Sequence, residues 1–65
     1  MTVGEVLDSK LVNDLHVVKI TMNLDKEKPT SLIGLRYEGK IRSCRDMEVS
    51  YLEWTEDEVD IIVRE

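Results

Sequence analysis

Few residues in this chain are of a type that does covalent chemistry, and their spacing narrows the possibilities quickly. Nucleophilic catalysis needs a Cys or Ser beside a base that is itself held in place. Cys44 is the one cysteine and His16 the one histidine. Arg42 and Arg45 stand near Cys44, surroundings of the kind that can activate a thiol. A single thiol at the end of an element nevertheless reads first as structural. His16 shares its alternation phase with Val18, Ile20 and Met22, so it reads as a histidine at the rim of a core. A closed zinc site takes four ligands, which one Cys and one His do not supply. Glu56, Asp57, Glu58 and Asp60 cluster near a four-residue turn without glycine. A calcium loop needs oxygen ligands at fixed offsets and a glycine for its bend, so the cluster reads as a solvated turn. None of the three glycines belongs to a phosphate-binding loop. The sequence therefore predicts no catalytic, metal or cofactor residue, and a protein that is not an enzyme.

Binding residues are easier to nominate. Arg36, Lys40 and Arg42, with Glu38 between them, share one alternation phase. On a single strand they would project from one face at intervals of about 7 Å. Such a row could follow a phosphate backbone, or pair with carboxylates on neighbouring strands. Tyr37 has the opposite phase, so bases would find no stacking surface beside the cations. Val17, Tyr51 and Ile62 occupy outward positions on their strands. If a short helix covers only one sheet face, these three form an apolar patch on the other, and such patches often meet a partner. Another protein is the expected partner. A homodimer through a free sheet edge is an alternative, and nucleic acid ranks below both.

The elements that must position these residues follow from periodicity. Thr2 and Glu5 form a capping box, and Val3, Val6, Leu7 and Leu11 make one apolar helical face, predicting a helix over the first twelve residues. Asn13-Asp14 ends it. Leu15 to Leu24 alternates apolar and polar residues, which marks a half-buried strand. Residues 25–31 are charged, carry the one proline and read as the loop of a wide hairpin. From Leu32 the alternation places Ile33, Leu35, Tyr37 and Ile41 on an inner face and holds its phase through Gly39. One strand over about 32–43, bent at Gly39, is preferred to a turn there. Residues 43–47 connect, either as coil or as a helical turn. Strands at Glu48–Trp54 and Val59–Arg64 then form a hairpin. With Trp54 opposite Val59, Leu52 meets Ile61 and Ser50 meets Val63, which puts the large apolar residues on one face.

The expected fold is thus α+β: a short N-terminal helix and a four-stranded antiparallel meander. The helix would cover an open sheet or plug a strongly bent, barrel-like one. Sixty-five residues make one domain, 1–65. An apolar content of 42% is enough for a core. No stretch approaches the roughly 18 apolar residues of a membrane span, and no signal peptide is apparent. With one lone thiol, this predicts a cytoplasmic protein that does not engage membranes. Charge is uneven. Residues 30–45 carry four cations and one carboxylate, whereas residues 46–65 carry eight carboxylates and one arginine. A formal net charge of −5 argues against general nucleic-acid binding.

A capped helix, an apolar strand, a charged loop, the stretch Tyr37-Glu38-Gly39-Lys40-Ile41 and a final hairpin together resemble short uncharacterised proteins of phages and integrative elements of Gram-positive bacteria. The resemblance implies a cytosolic accessory role in a mobile element, exercised by binding a host or element protein. It carries no activity onto any residue.

Overall fold

The computed structural model describes residues 1–22 and 27–64. In chain order it has α1 (Val3–Leu7), β1 (Val17–Met22), β2 (Thr30–Gly34), α2 (Gly39–Arg42), β3 (Val49–Trp54) and β4 (Glu58–Val63). The predicted positions of Leu24 and of Asp25-Lys26 in the hairpin loop lie outside the described residues.

The capping box forms as the sequence predicts. The Glu5 amide donates to Thr2 Oγ1 at 3.2 Å, and the Thr2 amide donates to Glu5 Oε1 at 3.1 Å. The two remaining early amides are met from outside the helix: Val3 donates to Met47 O and Gly4 to Arg45 O, each at 2.9 Å. The helix is shorter than expected. The Ser9 hydroxyl donates to Val6 O at 2.7 Å and the chain leaves the helix after Leu7, because a serine side chain competes for helical backbone groups. Leu11, expected on the apolar face, is exposed, and Val12 is buried in its place.

The sheet is mixed and open, with strand order β2-β1-β4-β3. This corrects the expected antiparallel meander. β1 pairs antiparallel with β2 and parallel with β4, so two hairpins lie side by side. The physical reason is the distribution of core residues. Val18, Ile20, Val59, Ile61 and Val63 are all buried, and the two strands that hold them take the centre. β2 and β3 hold half-exposed or exposed residues and take the edges. α1 and α2 contribute Val3, Val6, Leu7 and Ile41 to the same core, joined by Cys44.

The last hairpin keeps the expected register at Trp54↔Val59 and Leu52↔Ile61. A bulge between Val49 and Tyr51 then sets Val49, rather than the predicted Ser50, opposite Val63. The extra residue turns a valine toward the core instead of a serine.

The largest correction concerns residues 32–43. β2 ends at Gly34, and a turn leads into α2. The Glu38 amide donates to Leu35 O, the Leu35 amide donates to the Glu38 carboxylate, and Glu38 O accepts from both Ile41 and Arg42. The alternation through Gly39 is a coincidence of phase. The facing of β2 is also the reverse of that expected: Leu32 lies opposite buried Ile20, and Ile33 lies opposite Lys19. Ile33 is consequently 54% exposed.

Gly39 and Gly34 differ in what they tolerate. A Cβ on Gly39 would meet nothing within 4 Å, so Gly39→Ala is expected to stabilise the protein by about 0.5–1 kcal/mol in urea unfolding. A Cβ on Gly34 would overlap the Glu38 carboxylate and approach Lys40 Cε to 2.8 Å. Both are ends of flexible side chains that can move aside, so Gly34→Ala is expected to cost no more than about 1 kcal/mol in urea unfolding, the worth of the Leu35 amide bond to the Glu38 carboxylate that the shift would loosen.

Candidate interaction surface

Both helices pack on the sheet face that carries Val18, Ile20, Val59, Ile61 and Val63, and among the described residues no element covers the opposite face. Cross-strand partners define it. One row runs Ile33, Lys19, Asp60, Glu53, and the next runs Ser31, Thr21, Ile62, Tyr51. Val17 stands opposite Glu58 at the end of β1. The predicted patch residues Val17, Tyr51 and Ile62 therefore share a face, and Tyr51 lies opposite Ile62, but the charged row of Lys19, Asp60 and Glu53 separates that pair from Val17, so the three do not form the continuous apolar patch expected. Val17 and Tyr51 are exposed and Ile62 is half-buried. Ile33 also lies on this face, opposite Lys19, whereas the sequence alternation assigns it to the inner face.

The centre of this face is acidic. Asp60 lies opposite Lys19, Glu58 lies diagonally from it and Glu53 lies beyond Asp60 on β3, and none of these four forms an ion pair within 4 Å among the described residues. Asp60 Oδ1 is buried and has no hydrogen-bond partner among the described residues, an unusual state for a buried acceptor. The hydrogen bond that a protonated Glu58 can donate to the Asp60 carboxylate, the negative charge of Asp60 and desolvation together hold the Glu58 carboxyl above the usual carboxylate range, and Lys19 opposes them. Hydrogen bonding and charge from Glu53, with a smaller effect of desolvation, likewise push the Tyr51 phenol upward. The pairing of β1 with β4 creates the cluster, so no local sequence signal could have found it.

A raised carboxyl has a definite linkage sign. The folded chain holds the Glu58 proton more tightly than the unfolded chain does, so stability declines as pH rises through the raised value. Glu58→Gln is expected to raise the melting temperature at neutral pH and leave it nearly unchanged below the usual carboxylate range. Thermal melts across pH check this.

The cationic row does not form, because its three residues lie beyond the end of β2. Arg36 sits in the turn, and Lys40 and Arg42 lie on α2. The Arg36 guanidinium donates to Asp14 Oδ1 and to Val12 O, each at 2.7 Å, and to Leu7 O at 3.3 Å. Arg42 pairs with Asp8 at 2.9 Å. Lys40 is exposed, with no ion pair among the described residues.

His16 is buried at the start of β1, as its phase predicts. Its Nδ1 accepts from the Asn13 amide at 2.9 Å, while Asn13 Oδ1 accepts from the Leu15 and His16 amides. The two side chains close the turn that feeds β1. Cys44 is buried in the core, far in role from any surface chemistry. Among the described residues no group of His, Cys, Asp and Glu is placed to hold a metal ion, and no helix is long and apolar enough to cross a membrane. Comparisons with protein-family models, with curated proteins and with solved structures give no match.

Proposed function

We propose that the chain is a protein-interaction module that acts by binding, not catalysis, and takes its partner on the open face of the sheet. One observation supports this above all. A single face of the sheet is left without a helix, and it gathers Val17, Ile33, Tyr51 and Ile62 around a charged centre. Apolar surface mixed with directed polar groups is the usual make-up of a partner interface.

The charge of the face selects the partner. Glu53, Glu58 and Asp60 outnumber Lys19, so the complementary surface presents Lys or Arg among apolar side chains. A cation there would also give Asp60 Oδ1 the donor it lacks. A second copy docked open face to open face would instead oppose like charges. The accessory role implied by the sequence resemblance fits the same picture, with a host or mobile-element protein as partner. Nucleic acid binding through Arg36, Lys40 and Arg42 has less support, because Asp14 and Asp8 already hold the two arginines.

The test begins with capture on the immobilised chain, followed by calorimetry with the purified partner. Tyr51→Ala combined with Val17→Lys, which removes an aromatic anchor and sets a cation against a cationic partner, should weaken binding at least about tenfold. Lys40→Glu should leave binding unchanged. A partner indifferent to the first variant, or a bound nucleic acid released by the second, would overturn the proposal.

A further inference from the structure

The two edges of the sheet are guarded very differently. On β3 a bulge interrupts the ladder, Glu53 adds charge, and the N-terminus covers the start: Val49 donates to Met1 O at 2.8 Å, and Thr2 bridges to Glu48. These are the usual devices that keep an edge from recruiting another strand. β2 has none of them. Thr30-Ser31-Leu32-Ile33-Gly34 contains no charge and no proline, and it pairs with β1 over five residues without a bulge. Among the described residues, no backbone hydrogen bond outside the ladder with β1 is made by any residue of β2.

We infer that β2 is a self-pairing edge, and that two copies of the chain join there as an antiparallel β2–β2 pair. A free, regular edge accepts another extended strand, and a second copy of β2 fits as the occupant because it offers an equally free and regular edge and, being uncharged, sets no like charges against itself. A two-fold axis at Leu32 sets Leu32 opposite its own copy, Ser31 opposite Ile33 and Thr30 opposite Gly34. No like charges oppose one another in the ladder. Leu32 is half-buried and already packs against the core, so pairing extends that core across the axis. Ile33, 54% exposed, is half-covered by the same step. Because the axis stands perpendicular to the sheet, both helical layers fall on one side. The two acidic open faces become neighbours on the other, far enough along the sheet not to oppose each other. The inference concerns the edge alone and stands whether or not the open face binds a protein.

Sedimentation equilibrium of the full chain tests it. Over roughly 10 µM to 1 mM, the range expected for a small interface, the mass should climb from 7.6 kDa toward twice that value. The double variant Ser31→Lys with Ile33→Lys places two ammonium groups opposite each other at both ends of the axis, and should remain a single chain. The variant Ser31→Glu with Ile33→Lys places opposite charges there and should dimerise at least as well as the native chain. Both variants lose the same Ser31 and Ile33 side chains and differ only in the charges they set opposite each other, and Trp54 fluorescence reports whether each is folded. A native chain that stays at 7.6 kDa at the highest concentration overturns the inference. So does a dimer in which the two variants behave alike.

Discussion

Ile41→Ala is expected to leave little of the folded protein at 37 °C. Ile41 is fully buried on α2, in the cluster formed by Val3, Val6, Leu7 and the sheet residues Val18, Ile20, Val59 and Ile61. Removing its outer methyl and methylene groups deletes transfer free energy and leaves a cavity, which together cost about 2–5 kcal/mol. A 65-residue domain has about 3–10 kcal/mol in total. Tyr37→Ala supplies the contrast. A strand running through Gly39 would put Tyr37 and Ile41 on one inner face, and both substitutions would then be severe. Tyr37 instead lies in the turn before α2 and is 60% exposed, so its truncation should stay within about 0.5 kcal/mol. Urea unfolding of the two variants side by side measures the difference. Equal losses would contradict the helical placement of Ile41.

Arg36→Ala has the second largest expected effect, a loss of about 1–3 kcal/mol. The Arg36 side chain is 28% exposed and its guanidinium ties three chain segments together: the end of α1 at Leu7, the turn at Val12 and Asp14, and its own turn after β2. The Asp14 carboxylate is 69% exposed, so that part contributes little by itself. The larger share comes from the Leu7 and Val12 carbonyls, which lose a charged donor while partly buried. Arg36→Lys should recover only a fraction of the loss, since an ammonium presents one point of charge where the guanidinium spans separate acceptors. Asp14→Ala, by comparison, should cost less than about 1 kcal/mol. A melting temperature unchanged by Arg36→Ala would return this residue to the free cations and reopen phosphate contact as its role.

Local signals in the sequence proved readable where they act within a few residues. The Thr2–Glu5 capping box depends on side chains three positions apart. The Trp54↔Val59 register depends on one short turn and an alternation that only one pairing satisfies. Alternation alone puts Val17, Tyr51 and Ile62 on a common face. Residues 32–43 carry a misleading signal, because Ile33, Leu35, Tyr37 and Ile41 keep a period of two although the chain turns into α2 at Gly39. The competing signal, Ile41 and Cys44 at helical spacing, is only two residues long. Two further features have no local signature. The acceptors of Arg36 include backbone carbonyls on distant segments, which side-chain identity does not reveal. The acidic centre arises from β1 and β4 lying side by side, and that depends on which strands bury the most apolar surface once all are present.

That central pairing also governs how fast the chain can reach its fold. Val18 meets Val59 across β1 and β4, 41 positions apart in the chain, whereas each hairpin closes over far fewer residues. Closing a long loop spends chain entropy before any contact rewards it, and parallel, non-local pairing is intrinsically slow. The two hairpins are therefore expected to form early and their docking to limit the rate. Val18→Ala and Val59→Ala should slow refolding, while Leu52→Ala, at the outer hairpin edge, should chiefly speed unfolding.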